Sequence, residues 1–189
     1  MLMKVLFLDQ NKWIDLARVA SGASPWIDHT AIYDALSQAI DSRKLIVPLS
    51  MAHIIETSKV NDPSRRRQLA YTQSKFSGGF VFRSRKARLQ QEIQCALKKA
   101  FGEPMLAVPD AWFIAKGFMQ AFEQFDDHVA PSLEIARNAL FNSHIDAAEM
   151  LFNFLTTQDD ANRRKGILAF SQGSDELVNR IERRREKLK

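Results

Sequence analysis

Two acidic residues, Asp9 and Glu56, lie where a metal site of an α/β protein would need them. Asp9 ends a short apolar run, and Glu56 falls in the second turn of the helix expected after the next such run. In open parallel sheets, the carboxyl ends of strands and the first turns of the following helices face one crevice. Two carboxylates there repel each other, and a hard divalent cation relieves that repulsion. We therefore expect Asp9 and Glu56 to share Mg²⁺ or Mn²⁺, which polarises a phosphodiester and lowers the pKa of a bound water.

Each acid also has an ordinary structural interpretation. Asp9 can cap the helix that begins near Lys12, and Glu56 can be a solvent-facing helix residue. His53 precedes Glu56 by three positions and shares its helix face, where a partly buried structural histidine is the simpler role.

The elements that must position these acids are predicted from apolar runs and helix signals. Lys4-Val-Leu-Phe-Leu-Asp9 is a continuous apolar run, typical of a strand covered on both faces. A helix follows it and ends at Ser21-Gly22, and Ser24-Pro25 begins another. The second strand is predicted at 45–49, and Ser50 caps a helix through Lys59. This order predicts an α/β fold with parallel neighbouring strands and right-handed crossovers.

A third strand and two basic helices follow in the same half of the chain. Asn61-Asp62-Pro63-Ser64 begins a helix that runs to about Phe76, and Gly78-Gly79-Phe80-Val81-Phe82 predicts the strand. The second basic helix is expected from about Ser84 to Phe101, and 106–108 is ambiguous between loop and a short edge strand.

The pattern changes at Asp110, where apolar residues recur at helical spacing. Helices are predicted over 110–125, 132–156 and 159–189, the last with a break near Gly173, and no strong β run appears. We expect an α/β core at 1–109 and a helical portion at 110–189 that packs on the core and ends in a basic tail.

Positive charge is concentrated in one stretch of the chain. The net charge is +5 overall, but residues 61–99 carry +8 and the remainder −3. Clustered positive charge is expected of a phosphate-binding surface, although solvated helix faces are often as basic. The residues that we expect to contact nucleic acid are Arg65, Arg66, Arg67, Arg83, Arg85, Lys86 and Arg88.

Composition and spacing argue against a disulfide-bonded, a zinc-finger or a membrane protein. The single Cys95 forms no intrachain disulfide, no Cys/His pairs have zinc-finger spacing, and the N-terminal apolar run is too short for a membrane span or signal peptide. We expect a cytoplasmic protein without membrane association.

Two local motifs carry a resemblance to a known family. Phe7-Leu8-Asp9-Gln10-Asn11-Lys12-Trp13-Ile14-Asp15-Leu16-Ala17 resembles the opening motif of PIN-like nuclease domains, and Pro48-Leu49-Ser50-Met51-Ala52-His53-Ile54-Ile55-Glu56-Thr57 looks like their second motif. The resemblance implies a small parallel sheet flanked by helices, with Asp9 and Glu56 as catalytic metal ligands. Gln10 and Asn11 match a polar pair that supports the metal site or contacts phosphate. The implied activity is metal-dependent hydrolysis of RNA, or of single-stranded DNA, in a toxin-like or defence setting.

The chain departs from that family in its later acids. PIN-like domains bring further acids from a later helix and strand, and no such strand is evident after residue 110. Glu92 and Asp146 are the possible substitutes, although each resembles an ordinary surface acid. Either the chain is the front portion of a longer protein or half of a split nuclease, completed by another copy or a second polypeptide, or the site is degenerate and binds nucleic acid or protein without cutting. We expect the chain alone to be a weak or inactive nuclease.

Overall fold

A computed structural model describes residues 4–23, 27–103, 111–122, 146–165 and 167–168. These residues form a mixed fold in which helices pack around two small sheets. In the described ranges, no helix is both long enough and apolar enough to cross a membrane.

The first sheet confirms the predicted parallel pair. Strand β1 (Lys4–Val5) pairs in parallel with β2 (Leu45–Ile46), with Lys4 opposite Leu45. The pairing continues past β1, because the Leu6 amide donates to the Ile46 carbonyl at 2.9 Å. Helices α1 (Gln10–Ala20) and α2 (Ile27–Asp41) form the crossover between the two strands.

The second sheet joins two distant parts of the chain. Strand β3 (Phe80–Phe82) pairs antiparallel with β4 (Ile114–Lys116). An isolated parallel bridge also links Leu49 to Val81, with the Leu49 amide donating to the Phe80 carbonyl at 3.0 Å. Leu49, three residues after β2, therefore links the first sheet to the second.

Strand β4 corrects the helix predicted over 110–125. The segment contains β4 and a 3-10 helix, Phe118–Ala121, separated by Gly117 at φ +100°. That backbone conformation suits glycine and interrupts an α-helix, so apolar spacing alone was misleading there. A strand after residue 110, which the sequence did not reveal, is thus present.

Later predictions are tested only in part. Helix α6 (Ala147–Thr157) begins after Asp146, whose backbone is extended, so the helix predicted over 132–156 is interrupted at Asp146. Residues 147–157 and 160–165 are helical as predicted. The ambiguous segment 106–108, residues 132–145 and the break near Gly173 lie outside the described residues.

Capping residues set the ends of the remaining helices as expected. Helix α3 (Met51–Ser58) begins after Ser50, and α4 (Pro63–Ser77) begins after Asp62, which accepts from the amides of two first-turn residues. Gly78 ends α4 in the left-handed conformation at φ +56°. Helix α5 (Arg85–Ala100) begins after Ser84.

Helix α4 lies at the centre of the packing, against α1, α3 and α6. One continuous apolar core includes Trp13 from α1, Phe76 from α4 and Leu151 from α6, together with Phe118. Side chains from before and after residue 109 therefore share this core.

Candidate functional site

Asp9 occupies the turn between β1 and α1. It is the N-cap of α1, and its Oδ1 accepts a hydrogen bond from the Lys12 amide at 2.8 Å. The expected capping role is confirmed, because this bond satisfies one of the free amides of the first turn. The residue is exposed, and Oδ2 makes no hydrogen bond with the described residues. One carboxylate oxygen thus remains available to a ligand.

Helix α3 begins with a capping box in which histidine replaces the usual acid or amide. The Ser50 amide donates to Nδ1 of His53 at 3.0 Å, and the His53 amide donates to Oγ of Ser50 at 3.4 Å. His53 is buried, as predicted, so Nδ1 is a hydrogen-bond acceptor inside the protein. One turn later, Glu56 is exposed, and its carboxylate makes no hydrogen bond or ion pair with the described residues.

Two contacts connect the segment around Asp9 with the segment around Glu56. The Phe7 ring stacks on the His53 imidazole at 5.3 Å between ring centroids, and Nε2 of Gln10 donates to the Thr57 hydroxyl at 3.3 Å. Along the chain, Asp9 lies between Phe7 and Gln10, and Glu56 lies between His53 and Thr57. The contacts therefore bring both acids to the same end of the parallel sheet.

The electrostatics of His53 agree with this placement. Burial lowers the pKa of His53, because a charged imidazole loses its hydration there. The negative charge of Glu56, the interaction with the backbone of Leu8 and the charge of Asp9 each raise that pKa and oppose the effect. Both carboxylates thus act on one imidazole. Aromatic rings surround the histidine: Phe7 stacks on it at 5.3 Å between ring centroids, and Trp13 meets it edge-on at 6.3 Å.

A closed ring of hydrogen bonds lies directly behind the two acids. Gln10 donates to Thr57, the Thr57 hydroxyl donates to Oε1 of Gln73 at 2.9 Å, and Nε2 of Gln73 reaches Oε1 of Gln10 at 3.5 Å. Thr57 and Gln73 are both 0% exposed. The ring joins α1, α3 and α4 next to both acids, so it holds the helices that carry them in a fixed relation.

The sequence identified only part of this ring. Gln10 was expected to support the site, and its side chain does face inward, whereas Asn11 is exposed. Thr57 and Gln73 were missed, because polar residues within α3 and α4 look like surface residues until the helices are packed together.

Among the described residues, no third acid joins Asp9 and Glu56 in a metal-holding group. Glu92 is exposed on α5, and Asp146 caps α6 by accepting from the Ala148 amide at 3.4 Å. Within the described parts of the chain, no group of three or more His, Cys, Asp or Glu residues is arranged to hold a metal ion. Asp9 and Glu56 are the carboxylates that remain near His53.

The predicted basic surface is corrected at Arg66. This side chain is only 5% exposed, and its Nη1 donates to the Val60 carbonyl at 2.7 Å, beyond the end of α3. Successive helix residues point in directions about 100° apart, so three neighbouring arginines cannot share one face. Arg65 is exposed, and the Arg67 guanidinium lies 5.4 Å from the centre of the Phe152 ring while the residue remains exposed.

The second basic run, residues 83–88, also contains both exposed and half-buried side chains. Arg83 is half-buried, and its Nε donates to the Trp112 carbonyl at 2.9 Å. Arg88 is half-buried as well, whereas Arg85 and Lys86 are exposed. The exposed members of the predicted set are therefore Arg65, Arg67, Arg85 and Lys86.

Comparisons with protein-family models, with curated proteins and with solved structures found no match for this chain.

Proposed function

We propose that this chain is a PIN-like ribonuclease that uses Mg²⁺ or Mn²⁺ to hydrolyse phosphodiester bonds. The observation that carries the proposal is the pair of contacts, Phe7 to His53 and Gln10 to Thr57, by which the segments that carry Asp9 and Glu56 meet at one end of the parallel sheet. This is the end of an open α/β sheet at which ligands generally bind.

The oxygen donors at this place fit a hydrated divalent cation. Asp9 offers Oδ2, and Glu56 offers a carboxylate that no described residue engages. Mg²⁺ is commonly held by one or two carboxylates together with water and substrate phosphates. When bound, such an ion would polarise the phosphodiester and neutralise charge that develops in the transition state.

The protein's own contribution is to position these oxygen donors and to keep Nδ1 of His53 from acting as a metal ligand. Hydrogen bonding to Lys12 fixes the Asp9 carboxylate, and the buried ring behind it fixes α1 against α3. His53 is held through Nδ1 by the Ser50 amide, so its role is to join the end of β1 to α3 and not to act as a metal ligand through that atom. The exposed Arg65, Arg67 and Arg85 supply positive charge for an RNA backbone.

The test is RNA cleavage with Mn²⁺ by the purified chain and two variants, with the protein in excess over RNA so that the weak activity expected of the chain alone is measurable. Asp9→Asn removes the charge but retains helix capping, because Asn and Asp are equally good N-caps. Glu56→Gln removes the second charge at an exposed position. Each should lower the cleavage rate by about 10²-fold or more, the scale on which loss of one electrostatic group acts in an active site.

Asp15→Asn is the matched control on α1. Asp15 pairs with Lys12 and Arg18 on the surface of that helix, so its loss should leave cleavage unchanged. If Asp9→Asn and Glu56→Gln cut RNA as fast as the unaltered chain, the proposed active site is wrong.

The second candidate function is a PIN-like module that binds nucleic acid or protein without cutting. It is favoured by the lack of any metal-holding group of three acids, histidines or cysteines among the described residues. In that case the chain binds RNA, and Mn²⁺ produces no cleavage. Each phosphate contact removed by substitution of an Arg or Lys reduces the slope of log affinity against log salt by about 0.7. Light scattering during size exclusion would then show whether a second copy accompanies the chain.

A further inference from the structure

Helix α5 exposes its large apolar residues. Leu89, Ile93, Leu97 and Phe101 follow one another at four-residue intervals and are 49%, 48%, 52% and 78% exposed. Residues four apart lie on the same side of a helix, so these four form a continuous apolar ridge. We call it the α5 ridge.

The opposite side of α5 is the side that the rest of the protein partly covers. The half-buried residues of the helix are mostly polar: Ala87, Arg88, Gln91, Cys95 and Lys98. No residue of α5 is buried, and no described helix or strand packs extensively along it. An ordinary surface helix covers its apolar side and exposes its polar side. Since α5 has the reverse arrangement, its apolar side is available for another molecule.

The shape of the α5 ridge suits another helix. Twelve residues separate Leu89 from Phe101, which corresponds to about 18 Å along the axis. A second helix that crosses at about 20°, with its ridges of residues spaced by three in the grooves beside this ridge, would contact the ridge along most of its length. Helices that lie on lipid carry a broad apolar face with basic residues beside it, whereas Gln90 and Gln94 border one side of this ridge.

The charges of α5 indicate which kind of helix fits. The helix carries five Lys or Arg residues and one acid, a net charge of +4. Arg85, Glu92 and Lys99 recur every seven residues and therefore border the other side of the ridge. In a parallel pair of α5 helices, these residues would face the opposite flank of the other copy, where Gln90 and Gln94 carry no charge. In an antiparallel pair, Arg85 would face Lys99 and Glu92 would face Glu92. The antiparallel pair opposes like charges, and the parallel pair leaves Arg85 and Lys99 without acidic partners, so neither arrangement favours a second copy of this chain.

We propose that the α5 ridge is a docking surface for an amphipathic helix of another protein whose apolar residues are flanked by acidic side chains. The partner helix places acids opposite Arg85 and Lys99 and inserts its own apolar row beside Ile93 and Leu97. Burial of the ridge supplies affinity, and the charge pattern selects the partner and its direction.

The test is selection from a displayed library of helical peptides against the full 189-residue chain. Apolar and flanking positions are randomised, and a synthetic peptide of the enriched sequence is then titrated by fluorescence anisotropy. Ile93→Asp places a charge within the ridge, and Gln94→Asp places the same charge at the neighbouring exposed position as a matched control. We expect enriched peptides to carry Glu or Asp beside one apolar residue per turn. They should bind Ile93→Asp at least about tenfold more weakly than Gln94→Asp, the loss expected when a central interface residue is removed.

The other outcomes overturn the proposal. Enrichment of neutral or basic peptides, no enrichment, or binding that does not respond to Ile93→Asp would each exclude the acidic partner helix. Three further measurements identify a different occupant. A dimer by light scattering that Ile93→Asp dissociates indicates a second copy. Co-sedimentation with vesicles of phosphatidylcholine and phosphatidylserine that Ile93→Asp abolishes indicates lipid. A Tm lower for Ile93→Asp than for Gln94→Asp indicates that the same chain covers the ridge.

Discussion

Replacing Thr57 by valine tests whether the buried hydrogen-bond ring holds the site together. Valine has nearly the shape of threonine but lacks the hydroxyl, which accepts from Gln10 and donates to Gln73. The substitution therefore opens the ring without leaving a cavity.

The expected cost follows from the burial of the groups left behind. Gln73 is 0% exposed, so its Oε1 loses its hydrogen bond from Thr57 where water does not reach it. A buried polar group without a partner costs about 1–3 kcal/mol. Gln10 is only half-buried and can turn its amide toward solvent, so it adds little. We expect the free energy of unfolding to fall by about 2 kcal/mol, or Tm to fall by roughly 4–8 °C for a protein of this size.

Thr72→Val is the matched control. Thr72 is 1% exposed, and its hydroxyl donates to the Gln68 carbonyl within the same helix at 3.0 Å. Its removal leaves no group without a partner, because that carbonyl also belongs to the helix hydrogen-bond pattern. Urea unfolding followed by circular dichroism should therefore separate the two variants by at least about 1 kcal/mol. Equal stability of Thr57→Val and Thr72→Val would refute the argument that the ring is a stabilising, closed network.

Two other predictions concern the backbone and pH. Gly79 has φ +77°, and a Cβ there would lie 2.6 Å from Ala147, whereas at Gly78, with φ +56°, the nearest atom is 3.8 Å away. Both substitutions by alanine strain the backbone. Gly79→Ala should lower the free energy of unfolding by about 1–3 kcal/mol more than Gly78→Ala, because it also overpacks the contact with α6. Similar urea midpoints for the two variants would contradict this. His53 has its pKa lowered from 6.5 in the folded protein, so below that pH the unfolded chain binds more protons and stability falls as pH falls. His53→Gln keeps a capping-box acceptor but has no titrating group. Its urea midpoint should therefore vary less between neutral and mildly acidic pH than that of the unaltered chain. An unchanged pH dependence would exclude His53 as the cause of the loss of stability at low pH.

Local signals in the sequence were sufficient to predict most element boundaries. Asp9, Ser50 and Ser84 are caps whose side chains bond to amides within three residues, whereas Gly78, which the sequence pattern placed in the third strand, instead ends α4. The parallel pairing of β1 with β2 also followed from order, because two apolar strands separated by helices favour a crossover connection.

Pairings between distant residues were not predictable in this way. Strand β4 exists because Ile114–Lys116 pairs with β3, and nothing in so short a segment distinguishes it from a helix with an apolar face. The same limit applies to the candidate site. Asp9 and Glu56 were predicted as site residues from their positions after two strands, but the hydrogen-bond ring that joins their neighbours depends on α4, which contributes Gln73.

The direction of side chains on the basic helices was likewise decided by packing. The sequence places Arg65, Arg66 and Arg67 in one run of charge, yet Arg66 is drawn inside because the carbonyl of Val60 needs a donor where α3 ends. The sequence also determines that α5 has an apolar row. Only the tertiary structure shows that this row faces outward, because a periodic pattern defines the two sides of a helix but not which of them the remainder of the protein covers.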